Sequence, residues 1–362
     1  MEGTSRFLTA YRSVFVMKVS IGMKLQHSPW GGGNQFGHAF AKYLRNRNHE
    51  VCFDLADKDI DIILLAEPRR DLRISAYSEY DIVRKIILGR SRALIVHRVN
   101  ECDERKGTTD VNERLRQAAK CADAAVFVSN WLKDLHNAQG FPCRQQVVIH
   151  NGADRDIFSS QGYRPWNGSE PLRLVTHHWS SHPMKGFHFY RYIDTLLDSG
   201  EFKGILEYTY IGNLPEGFSF TRARHLQPLY GLELAAALRH HHVYVTASQN
   251  EPGPNHQNEA ACCGLPILYL QSGALPEYCE GFGIGFTETT FSEKLREMMA
   301  TYHQYVEKMR HFPYTAQAMS MQYEKLFQSL LKRKKELLKN RQWIRRPLWL
   351  LRMLCGTGSS QR

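Results

Sequence analysis

No stretch of this 362-residue chain reaches the ~18 consecutive apolar residues that a membrane-spanning helix needs. With 43% hydrophobic and 11% aromatic residues it is still globular, and long enough for two cores. Cys-x-x-Cys is missing too. The eight cysteines, at 52, 102, 121, 143, 262, 263, 279 and 355, form neither a zinc ribbon nor a thioredoxin-type redox pair. Residues 1–16 contain Arg6 and Arg12 and no uninterrupted apolar core, so no secretory signal is expected. The cysteines then read as reduced core residues of a cytoplasmic protein. Histidines 177, 178, 182, 240, 241 and 242 fall in runs that cannot share one ion, with no HxxxH pair on a helix. A metal is not expected.

Excess charge is scarce outside one segment. Residues 332–362 hold ten Lys or Arg and one acid, Glu336, a net of +9, so the rest of the chain carries only +2 of the total +11. Charge segregated in this way disfavours a nucleic-acid binder with a broad basic face. Within the segment, cations alternate with Trp343, Ile344, Leu348, Trp349, Leu350, Leu351, Met353 and Leu354. Such a mixture suits the surface of an anionic membrane; a helix capping the core and ending in a frayed tail suits it as well. The localisation expected is cytoplasmic, with peripheral membrane contact through residues 332–362 as an option.

What is present alternates strand and helix. Met17 opens a strand-like run, KVSIGMKL (18–25), followed by a loop holding Gly31, Gly32 and Gly33, a helix over 36–47 and a strand over 51–55. The loop lacks the Gly-Lys-Ser/Thr of a P-loop and the GxGxxG of a dinucleotide site. A flexible turn and a loop held close to a ligand both fit it. Strands follow at 60–66 and 93–99, with a helix over 79–88 between them. The last strand ends at His97-Arg98, where the ligand edge of a parallel sheet is expected, although a core histidine fits there too. Residues 97–112 form a polar loop that would suit an acceptor-side lid. A strand at 124–129, a helix and VVIHNGADRDIF (147–158) close the first half, and the turn-rich stretch 159–171 reads as a linker.

The second half repeats this plan. It has a strand at 172–176, Lys185 before Gly186 at a helix start, a helix to 197, a strand from 206 and a helix over 232–239. Amphipathic helices are expected over 291–311 and, after Pro313, as one long helix over 316–339. The most informative stretch is 242–270, HVYVTASQNEPGPNHQNEAACCGLPILYL. A buried strand (243–247) leads into a loop (249–258) and then a short helix (259–263) that Gly264 and Pro266 stop. Glu251 leaves the strand and Glu259 enters the helix, with seven residues between them. Both carboxylates should therefore face the crevice at the sheet's carboxyl edge, together with amides of Gly253, Asn255 and His256. Carboxylates accept hydrogen bonds from hydroxyls, whereas amides and cations hold phosphate. A surface loop whose acids cap a helix is the alternative.

E-x7-E, AACCGLPI and GALPEYCEGFG together resemble the donor-site signature of retaining family-4 glycosyltransferases of the GT-B fold. VVIHNGADRDIF is similar to that family's hinge segment, and WGGGNQF looks like one bacterial subset of it. The resemblance covers residues 17 to about 330 and is densest over 243–285. It implies an α/β fold of two Rossmann-like domains facing across a cleft. Residues 1–16 would be an extension, 17–158 the acceptor-side domain, 159–171 the linker and 172–312 the nucleotide-sugar domain. Residues 313–340 would cross back to the first domain, and 341–362 would form a basic amphipathic tail. By the same resemblance Glu251 binds donor-sugar hydroxyls, Glu259 the ribose and Lys185 the diphosphate. The loop of Gly31, Gly32 and Gly33 lies against that diphosphate, His97 contacts the sugar, and Gly253, Pro254, Asn255 and His256 form the donor loop. The family normally places an Arg about two turns upstream of this Lys; here His177, His178 and Trp179 stand instead. The implied activity is transfer of a hexose-type sugar from a nucleotide sugar to a glycan, lipid-linked or small-molecule acceptor, in glycan or cell-surface polysaccharide synthesis. No cofactor and no nucleic acid are implied. A phosphorylase, a nucleotide-sugar epimerase and a non-catalytic sugar-binding scaffold are the rivals.

Overall fold

The computed structural model describes residues 16–26, 32–69 and 73–356. Its frame is two parallel six-stranded sheets. The first holds β1 (Lys18–Ile21), β2 (Glu50–Cys52), β3 (Ile62–Leu65), β4 (Leu94–Val99), β5 (Ala124–Phe127) and β6 (Gln146–Val148) in the order β2-β1-β3-β4-β5-β6. The second holds β7 (Leu172–His178), β8 (Leu206–Gly212), β9 (Arg224–Leu226), β10 (Val243–Thr246), β11 (Ile267–Leu270) and β12 (Gly283–Phe286) in the order β12-β11-β10-β7-β8-β9. Helices cover both faces of a sheet built from crossover connections, so its inner strands are apolar throughout rather than alternating. β3, β4, β10 and β11 accordingly have every residue buried. Strand order reverses between β1 and β3 and again between β7 and β10. At such switch points the helices on either side diverge and leave a crevice beyond the strands' carboxyl ends.

The helix Gly32–Asn46 buries Phe36, Phe40, Ala41 and Leu44 on the first sheet. The helix Ala316–Lys332 returns from the second unit to pack on it. Phe40 meets Tyr323 and Phe327 with ring centroids 5.1 and 5.9 Å apart, and Glu324 accepts from Tyr43 Oη at 2.6 Å and from His49 Nε2 at 3.2 Å. The returning helix is not the single run over 316–339 expected from the apolar pattern. It stops at Arg333, and a separate helix, Lys334–Lys339, has no fully buried residue. Four consecutive cations at 332–335 sit where the helix dipole favours positive charge, which makes this a natural helix end. The basic tail then folds onto the first unit. The Arg341 guanidinium grips the Asp123 carboxylate with Nε at 2.8 Å from Oδ1, and Trp343 and Met353 are buried beside Tyr77, Ile82 and Val83.

Between the units the chain crosses twice, and the crossings touch. Ala153 pairs with Thr315 in a parallel β-bridge, and a Cβ on Gly152 would lie 2.2 Å from the Thr315 carbonyl carbon, so only glycine fits. Further contacts bind the edges. Tyr278 Oη donates to the Val128 carbonyl at 2.6 Å and accepts from the Asn151 amide at 2.8 Å. Glu277 accepts from the Asn130 amide at 2.8 Å and from His150 Nε2 at 2.5 Å.

Candidate active site

The two switch points face each other across a cavity of about 290 Å³. Its lining from the first unit includes Gly32, Gly33, Arg98, Glu101, Arg105 and Asn151, and from the second His177, His178, Lys185, Glu251, Gly253, Asn255, His256 and Glu259. Gly31 lies outside the described residues. At Gly32 a Cβ would come within 2.0 Å of Asn255 Nδ2, so the glycine allows the first helix and the opposing loop to meet. Gly253 serves the same purpose from the other side, since a Cβ there would be 2.4 Å from Val128 Cγ2. Pro254 is not part of the lining. Its carbonyl accepts from Asn258 Nδ2 at 3.1 Å and so shapes the loop from behind.

β7 ends at His178, and a 3₁₀ turn, Pro183–Lys185, brings Lys185 back over the strand ends. Its Nζ donates to Glu251 Oε2 at 2.8 Å, and Arg105 Nε reaches the same oxygen from the first unit at 3.2 Å. Burial opposes charge on Glu251, but the Lys185 ammonium and the Arg105 guanidinium outweigh it and hold the carboxyl well below the usual carboxylate range. Burial, with Arg105 adding repulsion, lowers Lys185 from its ordinary value against the pull of Glu251.

Glu259 lies one turn deeper than the sequence pattern indicated, because the helix begins at His256 rather than at Glu259 itself. Its carboxylate accepts from His177 Nε2 at 2.8 Å. His178 bonds Tyr190 Oη at 2.7 Å and His256 bonds Thr246 Oγ1 at 3.0 Å. Burial, reinforced by the nearby Lys185 charge, pushes both imidazoles far below their ordinary value, so they are neutral hydrogen-bonding groups. Pro228, Leu229, Tyr230 and Leu234 form an apolar end to the cavity.

His97 does not reach this cavity. Side chains alternate along a strand, and Arg98, not His97, turns toward the ligand edge. His97 is fully buried beside Phe141, and burial lowers its pKa to about 3. Arg98 stacks on the Phe36 ring at 4.1 Å and donates through Nη2 to Asn151 Oδ1 at 2.9 Å. Sequence reasoning also missed Arg105, which carries no motif. It sits in the short helix Asp103–Lys106, fixed where Asp103 accepts from the Val111 amide at 2.9 Å and the Asn112 amide at 3.0 Å. Glu277 of GALPE points away from the cavity and clamps the helix start at Asn130 instead. Of the clustered histidines, His182 bonds the Lys106 carbonyl, His241 the Ala237 carbonyl and His242 the Arg173 guanidinium.

No protein-family model matches the chain, and no curated protein is detectably similar to it in sequence. Solved structures do resemble it. A glycosyltransferase from Rickettsia africae ESF-5 superposes with a TM-score of 0.62 at 13% identity, over 90% of this chain and 98% of that one. The catalytic domain of starch synthase IV from Arabidopsis thaliana, bound to ADP and acarbose, gives 0.61 at 14% identity, over 88% and 100%. Sucrose-phosphate synthase from Thermosynechococcus elongatus gives 0.61 at 12%, over 87% and 99%. The fold is therefore that of the GT-B glycosyltransferases: α/β, with two Rossmann-like units facing across a cleft.

Proposed function

We propose that this protein is a glycosyltransferase of the retaining family-4 type, moving a hexose-type sugar from a nucleotide sugar to a glycan, lipid-linked or small-molecule acceptor. The observation that carries the reading is the meeting of Glu251 and Lys185 at 2.8 Å on the crevice of the second sheet, opposite Gly32 and Gly33. Loss of a sugar from a nucleoside diphosphate needs little acid catalysis. It needs cations near the departing phosphates as their charge develops. Lys185 supplies one, and Glu251, freed from it, accepts hydrogen bonds from the sugar hydroxyls and faces the positive charge that builds at the anomeric carbon. Glu259 receives the ribose hydroxyls in place of, or together with, His177. The apolar end at Leu229 and Tyr230 suits a planar base. The reading calls for no metal, because side chains of the protein neutralise the phosphates.

Among the described residues no helix is long and apolar enough to cross a membrane. The helix Pro347–Cys355 nevertheless leaves Leu348 83% and Leu351 60% exposed, beside Arg345, Arg346 and Arg352. We assign this face to contact with an anionic membrane surface, where apolar side chains enter the headgroup region and cations pair with lipid phosphates.

A panel of UDP-, GDP-, ADP- and dTDP-sugars tests the enzymatic reading, with thermal shift and nucleotide release as readouts. One nucleotide class should stabilise the protein and be released when an acceptor is present. Release of free sugar from the donor alone would favour the epimerase alternative. A panel in which no donor is bound or consumed sinks the proposal.

A further inference from the structure

We propose that Arg98 and Arg105, both carried by the first unit, form a phosphoryl-binding subsite on the cavity wall opposite Lys185, and that Arg105 exchanges Glu251 for the phosphoryl group when the ligand arrives. The inference rests on the glycosyltransferase reading only for the identity of the molecule that brings the phosphoryl group.

Arg98 is 1% exposed, yet among the described residues no carboxylate pairs with it. Its hydrogen bond goes to the neutral amide of Asn151, and its buried Nε has no acceptor. Glu67, an acid whose charge reaches it, is already clasped by Arg69 at 2.6 Å. A guanidinium taken out of water without a counter-ion is costly, and proteins otherwise pair it. Arg105 is 6% exposed, and while its Nε holds Glu251, its Nη1 is buried without an acceptor. Lys185 leans on that same Glu251 oxygen. The other charged groups of the lining are spoken for: Lys106 with Glu101 at 3.0 Å, and Glu259 with His177. Counted over the whole lining, the four cations Arg98, Arg105, Lys106 and Lys185 face the three carboxylates of Glu101, Glu251 and Glu259, an excess of one positive charge, and the adjacent His178 and His256 are neutral. A phosphate monoester or a diphosphate carries charge of the opposite sign, with oxygens that suit the planar fork of arginine.

Purely structural arginines would have their N–H groups satisfied within the fold, whereas both of these line the cavity and each keeps a buried N–H without an acceptor. Asp103 braces the loop that carries Arg105, so the guanidinium is presented by a fixed support. Exchange carries a cost for Glu251. When a phosphoryl group takes Arg105 and Lys185, the carboxylate gives up both charged partners and accepts instead from neutral hydroxyls of the ligand, so it competes with the phosphoryl group for the two cations. The phosphoryl group can belong to the donor diphosphate or to a phosphorylated acceptor, and binding measurements separate the two.

The full-length protein is titrated calorimetrically with inorganic pyrophosphate, UDP, GDP, ADP and glucose 6-phosphate, as wild type, Arg105→Gln, Arg105→Lys and Arg98→Gln. Losing a charge-assisted hydrogen bond should weaken phosphoryl binding about ten- to a hundredfold in Arg105→Gln, with partial recovery in Arg105→Lys. Weakening confined to pyrophosphate and the nucleoside diphosphates assigns the subsite to the donor; weakening confined to glucose 6-phosphate assigns it to the acceptor. Arg105→Gln is the deciding variant if Arg98→Gln fails to fold. Wild-type affinity of Arg105→Gln for every probe overturns the proposal, as does a wild type that binds none of them. Arginine-dependent phosphoryl binding without turnover of any nucleotide sugar leaves the subsite standing and removes the glycosyltransferase reading.

Discussion

Replacing Glu251 with Gln keeps the side-chain volume and takes one negative charge from between Lys185 and Arg105. With N–O separations of 2.8 and 3.2 Å, each contact represents roughly 5–6 kcal/mol of gross attraction at an effective dielectric of about 20. Desolvation of the ions offsets much of that, and breaking a buried pair by removing one partner costs about 3–5 kcal/mol. Glu251 borders an open cavity where water relieves part of the cost, so a loss of about 1–3 kcal/mol is expected, or a melting temperature lower by several degrees. The sign with pH is fixed. A carboxyl held below its usual range contributes stability above the ordinary carboxylate pKa of about 4.3 and loses it as pH falls below that value. The gap between wild type and variant should therefore be widest near neutrality and close in acid. Ligand binding should move the other way. Without its internal competitor, pyrophosphate should bind about tenfold tighter, near 1.4 kcal/mol, while sugar transfer drops on the order of a hundredfold or more. Thermal melts across pH, pyrophosphate calorimetry and a transfer assay on one preparation test all three. A variant that melts like wild type at every pH and gains no affinity for pyrophosphate refutes the reasoning.

Glu259→Gln should raise the donor KM about ten- to a hundredfold with kcat nearly unchanged, because a charged acceptor for hydroxyls is lost away from the reacting bond; an equal fall in kcat would instead give Glu259 a part in the chemistry. The double change Leu348→Glu with Leu351→Glu should reduce binding to vesicles rich in anionic lipid while leaving the melting temperature in place, since both side chains are largely exposed; unchanged sedimentation with such vesicles counts against the membrane face. Arg341→Ala strands the buried Asp123 carboxylate and should destabilise the first unit by about 3–5 kcal/mol, seen as a lower melting temperature and earlier proteolysis. Deleting residues 332–362 outright would remove this pair and the buried Trp343 as well, so point changes are the cleaner probe of membrane contact.

The alternation of strands and helices was legible because strands buried on both faces are written as short apolar runs, as in the IILL of β3. The carboxylate-bearing loop could be read because strand, turn residues and helix stop follow one another within thirty residues. Which of two adjacent polar residues faces a ligand was not legible. His97 and Arg98 share one strand end, and the choice between them depends on where the second unit lies, which no local pattern encodes. Arg105 was hidden for a related reason. It comes from a polar loop whose geometry is set by Asp103 and by a contact to Glu251, 146 residues away in the chain. The start of the helix at His256 was missed because the residues of its first turn are polar in sequence and buried only by tertiary packing.

The pairing of Ala153 with Thr315 has a mechanical side. Two strands of chain that cross a gap far apart would allow the halves to twist and slide; fastened side by side, they act as a single pivot. A swing about that seam would widen or narrow the mouth around Arg105 and Lys185 and leave the floor near Asn151, tied to Tyr278 and Gly253, in place. Cations mounted on opposite jaws can then draw those jaws together over a bound dianion, so that the charge which holds the ligand also shuts the door behind it.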